Sequence, residues 1–394
     1  MRVVVVVSGG IAAYKACEVV SRLVKAGHEV RVVMTPAAAQ FVAPLTFRAL
    51  SGQPVSVDVD GDEGGAIGHV ALARWAQALV IAPATASLLA RLANGDARDM
   101  ATLVYMGFRG PVVVAPAMEP EMWAHPRTKA NRAILQQDGV FMVGPEEGRM
   151  ASGYMGLGRM AEPETIVGAL EDAVSPQDLA GRTVVVTAGA TWEHFDPVRI
   201  LTNPSTGMMG VTIANQAVRR GARVVLVAGP SVNLAPVHSR VETHPVVGAM
   251  EMLAAVRAVM DGADVLIGAA AVSDFRPEQA ADHKVHKADI AREWAIAPNP
   301  DIIRTMAMEF GARTMMVGFA AETENPVEQA NKKRLEKHLD AVLANLVGPG
   351  RGFGDGTHQA WLVSAEGVEQ FPGHTKTDTA RRLLDWISQR LRGR

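Results

Sequence analysis

The sequence has one cysteine, Cys17, in 394 residues. A lone cysteine excludes an intrachain disulfide and any metal site built from several thiolates. The cytoplasm is therefore the expected compartment. A large charge excess is missing too. The net charge is −2, so bulk electrostatics offers no reason to bind nucleic acid or an anionic membrane. Long apolar runs are absent. The longest are strand-sized, such as residues 3–7, far short of a membrane span. The opening apolar stretch is too short for a signal peptide, and Ser8-Gly9-Gly10 leads into a helix, not a cleavage site. Neither GxGxxG nor GxxxxGK[ST] occurs, which argues against a dinucleotide fingerprint and a P-loop. There is no low-complexity tract.

What is present is strand–helix alternation, begun twice. Residues 2–15, RVVVVVSGGIAAYK, form an apolar run, a small-residue turn and a helix start. Residues 181–210 repeat the move. A continuous β-branched run is what a strand buried on both faces of a parallel sheet requires. In the first part, strands are expected at 2–7, 29–34, 78–82, 112–115 and 140–143. Helices are expected at 11–25, from Thr35-Pro36 onward, from Thr85 to about residue 93, and at 162–174. In the second part, strands are expected at 183–187, 223–227, 264–269, 314–317 and 341–344. A hairpin turning at Glu366-Gly367 and a closing amphipathic helix at 375–391 follow. The expected fold is α/β, two tandem doubly wound domains, the first flavodoxin-like or Rossmann-like and the second Rossmann-like. The boundaries are 1–174, a polar linker at 175–180, and 181–394.

Ligands in such sheets bind at the carboxyl ends of the strands. In the first domain those ends are Ser8-Gly9-Gly10, Thr35, Pro83-Ala84-Thr85 and Pro116-Ala117-Met118. All are small or hydroxyl-bearing, or turn the chain. They are either plain tight turns or places where backbone N–H groups approach a phosphate. A mononucleotide such as FMN fits better than a dinucleotide.

Gly68-His69-Val70 with Trp75, Pro116-Ala117-Met118 with Met122, SGGIAAYK, Ala82-Pro83-Ala84-Thr85 and Gly156-Leu157-Gly158-Arg159-Met160 resemble the motifs of the flavin-containing cysteine decarboxylases. Asp196-Pro197-Val198-Arg199, Asn203, Gly207, Ala269-Ala270-Ala271-Val272 with Asp274, Asn299-Pro300-Asp301-Ile302 and Gly318-Phe319-Ala320-Ala321-Glu322-Thr323 resemble the phosphopantothenate–cysteine ligases. In this order they resemble, over essentially the whole chain, the bacterial bifunctional decarboxylase/ligases of coenzyme A synthesis.

The resemblance implies FMN held by Ser8, Gly9, Gly10, Thr35, Pro83, Ala84 and Thr85. It implies His69 and Ser152 as catalytic, with Met118, Glu119 and Met122 against the substrate. FMN would supply the electron sink that lets a saturated carbon lose its carboxylate. Two positions depart from the family: Glu119 stands where many relatives carry asparagine, and Ser152 where many carry a proton-donating cysteine. A hydroxyl is a far weaker acid than a thiol. A water or another group is then the donor, or the half-reaction is altered.

In the second domain the resemblance implies CTP, an acyl-cytidylate and Mg²⁺, with 4′-phosphopantothenate and cysteine as substrates. Gly268, Ala269, Ala270, Pro300, Asp301, Ile302, Ile303 and Phe319 would surround the cytidine. Lys284, Lys333 and Lys337 would hold phosphates, and Asp274 the base or the metal. Arg199 and Asn203 would bind the acid, with Asn203 and Lys284 catalytic. Lys333 and Lys337, spaced i,i+4, share a helix face; a solvated charged face is the alternative. Met208 and His286 stand where relatives often carry lysine. The glycine-rich stretch 348–356 is either a lid or a connector. Homo-oligomers are expected, trimeric through the flavin domain and dimeric through the ligase domain, combining to a dodecamer. Two other outcomes remain open: a ligase with an impaired decarboxylase, and a flavin-binding regulatory subunit.

Overall fold

A computed structural model of the chain describes residues 1–58, 68–234, 236–286, 294–348 and 358–393. The chain forms two compact units, Met1–Ser175 and Pro176–Arg394. The first is built on a parallel sheet of β1 (Arg2–Val7), β2 (Glu29–Met34), β3 (Val55–Ser56), β4 (Ala78–Ala84), β5 (Val112–Pro116) and β6 (Phe141–Met142). Its order is β3-β2-β1-β4-β5-β6. Of the two doubly wound orders, this is the Rossmann one, with its switch point between β1 and β4.

The valine run of β1 explains itself in this setting. Val3, Val5 and Val7 pack with Ala16, Val20 and Leu23 of the helix Ala13–Lys25 and with Ile166 and Leu170 of the helix Pro163–Val174. Val4 and Val6 face the other way, toward Leu88, Leu89, Leu92 and Val104. Alternate side chains serve opposite layers, so every position must be apolar.

Several details depart from the sequence expectation. The first helix begins at Ala13, two residues after Ile11. Thr35-Pro36 starts no long helix. A single 3-10 turn, Ala38–Gln40, is followed by a separate helix, Pro44–Ser51. The break falls at Ala43, which is extended at φ −63°, ψ 139° because the following proline disfavours the helical region. A glycine-bearing hairpin, β7 (Glu146–Arg149) with β8 (Met155–Arg159), was not foreseen.

The second unit contains β9 (Thr183–Ala188), β10 (Glu193–His194), β11 (Ile200–Leu201), β12 (Arg223–Ala228), β13 (Glu242–Pro245), β14 (Val265–Gly268), β15 (Phe275–Pro277), β16 (Ile296–Pro298), β17 (Met315–Glu322), β18 (Ala341–Leu346), β19 (His358–Ser364) and β20 (Gly367–His374). The main sheet runs β13-β12-β9-β14-β17-β18-β19-β20, the last two strands antiparallel. Its first six strands repeat the order of the first unit, so the echo between the two openings extends to the topology. Ser364 pairs with Gly367, so Ala365-Glu366 forms the hairpin turn, one residue earlier than expected.

The stretch read as a linker is partly folded into the second unit. Leu179 is fully buried in its core, and Asp178 pairs with the buried Arg220 at 2.5 Å. Polarity there marks an ion pair rather than a free connector.

Candidate functional sites

In the first unit the carboxyl ends of β1, β2 and β4 converge. The Ser8 hydroxyl donates to the Pro83 carbonyl at 2.7 Å, and the Thr85 amide donates back to Ser8 Oγ at 3.0 Å. The Thr35 amide donates to the Val7 carbonyl at 3.0 Å. Gly9 is pressed against the Thr35 turn. A Cβ there would stand 2.4 Å from Ala37 Cβ, so only glycine fits. Thr85 caps the helix Ala86–Ala93 by accepting from the Leu88 amide. Ser8, Gly9, Gly10, Thr35, Pro83, Ala84 and Thr85 therefore form one small-residue rim at the switch point.

A second cluster adjoins Ala84 through the Ala117 amide, which donates to the Ala84 carbonyl at 3.0 Å. The Met118 amide donates to Gly158 O at 3.0 Å. A Cβ on Gly158 would stand 2.1 Å from Met118 O, so this contact also demands glycine. Ser152, in the loop between β7 and β8, donates to Glu119 Oε2 at 3.0 Å. Ser152 and Glu119 are thus hydrogen-bonded to each other, which sequence spacing did not reveal. Met118 is buried and Met122 exposed. His69 lies half-buried in the first turn of the helix Gly68–Trp75.

The second unit holds a cavity of about 570 Å³ at the carboxyl ends of β9, β14, β17 and β18. Gly268, Ala269, Ala270, Asp274, Pro300, Asp301, Ile302, Ile303, Phe319, Lys333, Lys337 and Asn203 all line it. Sequence positions more than a hundred residues apart meet because β9 and β14 are neighbours. Thr187 and Thr191 hold the floor. Thr187 Oγ1 accepts from the Ala270 amide at 3.2 Å, and Thr191 Oγ1 from the Ser273 amide at 3.0 Å. Asn203 Nδ2 donates to the Val272 carbonyl at 3.1 Å, which fixes the amide plane. Asn299 Nδ2 donates to Ser273 O at 2.9 Å, tying Asn299-Pro300-Asp301 to the same loop. A Cβ on Gly268 would press Ile303 at 3.1 Å.

The lysine pair faces the cavity. Lys333 Nζ donates to the Phe319 carbonyl at 2.5 Å, and Lys337 pairs with Asp301 at 2.6 Å. Desolvation lowers the Lys333 pKa, and the neighbouring Lys337 charge adds to that. Both are conditions that a bound anion would relieve.

Arg199 and Lys284 are not among the cavity-lining residues. Arg199 is bound to the carboxylate of Asp196 and donates to the Val285 carbonyl at 3.0 Å. Asp196, 1% exposed, accepts from the Val198 and Arg199 amides at 2.8 Å and from the Val285 amide at 3.2 Å. Burial alone would raise its pKa; these donors outweigh it and hold the group at about 2. Asp196 and Arg199 thus clamp the loop that carries the exposed Lys284 and His286.

Sequence reasoning missed that clamp. It also missed Asn345 and Lys376, which line the cavity. Asn345 Oδ1 is buried with no hydrogen-bond partner among the described residues, an acceptor suited to a ligand donor. Most of the 348–356 glycine-rich stretch lies outside the described residues. Among the described residues no group of three or more His, Cys, Asp or Glu could hold a metal, and no helix is long and apolar enough to cross a membrane.

Family models match each unit. The one described as flavoprotein covers residues 1–175, and the one described as DNA/pantothenate metabolism flavoprotein C-terminal domain covers 179–391. The chain is 42% identical over 392 residues to the coenzyme A biosynthesis bifunctional protein CoaBC of Bacillus subtilis (strain 168), spanning 98% of this chain and 96% of that one. The protein of the same name from Escherichia coli (strain K12) is 42% identical over 396 residues, spanning 99% and 97%. The crystal structure of the C-terminal domain of a coenzyme A biosynthesis bifunctional protein CoaBC is 34% identical, covering 55% of this chain and 100% of that one, with a TM-score of 0.47. With a model matched over each unit and relatives matched along nearly its whole length, the chain belongs to the CoaBC family of bifunctional coenzyme A biosynthesis proteins.

Proposed function

We propose that the two units catalyse consecutive steps of coenzyme A biosynthesis in the cytoplasm. The second unit is a phosphopantothenate–cysteine ligase, and the first a phosphopantothenoylcysteine decarboxylase. The observation that carries the reading is the second-unit cavity. It gathers Asn203, Asp274, Asp301, Lys333 and Lys337 at a sheet switch point, where a nucleotide site belongs.

In the ligase step, an oxygen of the 4′-phosphopantothenate carboxylate attacks the α-phosphorus of CTP and pyrophosphate leaves. The cysteine amine then attacks the acyl carbon and CMP leaves. Lys333 and Lys337 neutralise the phosphates, and the loops 268–270 and 300–303 with Phe319 enclose the cytidine. Asn203, its Nδ2 committed to Val272 O, keeps Oδ1 for the incoming amine. Lys284 acts from the clamped loop, and Arg199 from the clamp that holds it, as that loop meets substrate. Asp274 is exposed at the cavity wall. One carboxylate plus substrate phosphates is an ordinary Mg²⁺ donor set.

The first-unit rim suits FMN, because none of its residues brings a charged side chain against a phosphate. When bound, FMN supplies a reversible two-electron acceptor for the thiol substrate, which gives decarboxylation its electron sink. His69 orients the carboxylate or moves a proton, Met118 and Met122 pack against the substrate, and the Ser152–Glu119 pair takes the place of the usual acid. Ile11, Tyr14, Phe41 and Leu45 stand exposed on the segments that follow β1 and β2. That apolar surface supports assembly through the flavin unit, with trimeric flavin and dimeric ligase contacts closing a dodecamer.

Purified protein given 4′-phosphopantothenate, cysteine, CTP and Mg²⁺ is expected to release pyrophosphate and then carbon dioxide. Pyrophosphate without carbon dioxide, in a preparation loaded with FMN, would instead support the second reading, a ligase with an impaired decarboxylase. The observation favouring that second reading is the exposed Ser152–Glu119 contact, which places no thiol at the expected donor position. Absence of both products overturns both.

A further inference from the structure

We infer that Lys376 is a phosphoryl-binding residue of the ligase cavity. The inference rests on the ligase reading above and adds a cation supplied by the far carboxyl-terminal end of the chain.

The helix Lys376–Leu391 packs against the helix Met208–Arg219, and two side-chain contacts fix their register. Arg381 Nε donates to Gln216 Oε1 at 3.3 Å, and the Arg220 guanidinium meets Asp385 at 2.7 Å. Both pairs are separated by 165 positions. A constant offset means the helices run parallel, and it sets Lys376 level with Val211, in the first turn of the partner helix. The start of the closing helix therefore lies beside the 203–207 loop and the start of the helix after it, at the carboxyl edge of the sheet. Lys376 lines the same cavity as Asn203, Thr206, Gly207 and Met208.

The charge around this cavity gives the position its meaning. Among the described residues three lysines line it: Lys333, Lys337 and Lys376. Lys337 is paired with Asp301, and Lys333 is bound to the Phe319 carbonyl. Lys333 lies in the helix Pro326–Glu336 that follows β17, and Lys337 caps its carboxyl end. Cavity-lining residues 203–210 include no cation, since Met208 stands at the helix start there. Among the described lining residues, Lys376 is the cation positioned at that end. The ligase reading requires both a nucleotide triphosphate and a phosphorylated acid in this space. Either ligand presents the chemistry an ammonium takes, a phosphoryl oxygen.

The test uses the full-length protein. Calorimetric titration with Mg–CTP, and separately with 4′-phosphopantothenate, is compared for wild type, Lys376→Gln and Lys376→Arg. A charge-assisted contact of this kind predicts about tenfold weaker binding of one ligand by the glutamine variant. The arginine variant should recover most of it, and KM should rise while kcat stays within about threefold. Weaker Mg–CTP binding assigns the contact to the nucleotide; weaker 4′-phosphopantothenate binding, with pantothenate binding unchanged, assigns it to the acid. Unchanged affinity for both ligands overturns the proposal. A second measurement needs no variant: amine-selective labelling of wild-type Lys376, read by mass spectrometry, should be suppressed by the ligand it contacts. Labelling that neither ligand suppresses also overturns it. Wild-type protein that forms no pyrophosphate refutes the ligase reading, while the labelling experiment, with inorganic pyrophosphate as probe, still decides Lys376.

Discussion

Gly158→Ala is expected to disable the decarboxylase while leaving the ligase intact. The added Cβ would stand 2.1 Å from Met118 O, whereas real Cβ atoms essentially never come within 3.0 Å of a neighbour. One backbone must retreat by about 0.9 Å. A flexible side chain could swing aside, but the obstructing atom is a carbonyl oxygen. The same retreat loosens the hydrogen bond from the Met118 amide to Gly158 O. Overpacking costs about 1–3 kcal/mol and the weakened hydrogen bond about 1 kcal/mol. For a unit of this size that lowers the melting temperature by about 5–15 °C. The functional effect is read separately from the stability effect. Met118 and Glu119 move together, and misplacing a reacting group by about 1 Å can cost about a hundredfold in rate. The assay supplies phosphopantothenoylcysteine directly and follows carbon dioxide. In parallel, pyrophosphate is followed from the ligase substrates with the same preparation. Carbon dioxide formation should fall about 10- to 100-fold, with pyrophosphate unchanged. Wild-type carbon dioxide formation with an unshifted melting curve would refute the argument from contact geometry. Equal loss of both activities would refute the independence of the two units.

Asp196 has a pKa depressed from 3.8 to about 2, so its stabilisation is present above the unfolded value and disappears as pH falls through the folded one. Asp196→Asn should flatten the acid-unfolding profile of the second unit between those two values, and an unaltered profile contradicts the clamp. The lowered pKa of Lys333 means that its charge, and with it nucleotide affinity, should fade as pH rises, before the ordinary lysine value of 10.5 is reached. Lys333→Arg should move that decline upward in a KM–pH series for CTP; identical profiles would remove Lys333 from phosphate binding. Glu119→Gln takes a negative charge away from beside a carboxylate substrate and leaves Ser152 an acceptor. The KM for phosphopantothenoylcysteine should therefore fall severalfold with no change in melting temperature, and a higher KM would place the charge elsewhere.

The sequence by itself determined the double α/β architecture. Runs such as 3–7 and 183–187 can only be strands covered on both faces, because each alternate residue must find its own apolar layer. It also singled out the small-residue strand ends that the structure brings close together, since glycine and other small residues let those turns approach one another. Ordered motifs did the rest for the family. What the sequence left undecided was everything set by pairing between distant segments. The contact of Ser152 with Glu119 depends on how a glycine-bearing hairpin folds back on the segment after β5, and its exposed, irregular residues carry no periodic pattern to read. The clamp of Asp196 and Arg199 on Val285 spans almost ninety positions; only backbone amides and a carbonyl at its far end reveal it. Lys376 reaches the cavity because a parallel helix pair has one particular register, fixed by Gln216, Arg220, Arg381 and Asp385. Hydrophobic period specifies that a helix packs, and on which face. The neighbour it lies against, and which end meets the cavity, follow only when the whole sheet has assembled, because strand order rather than local propensity brings those segments together.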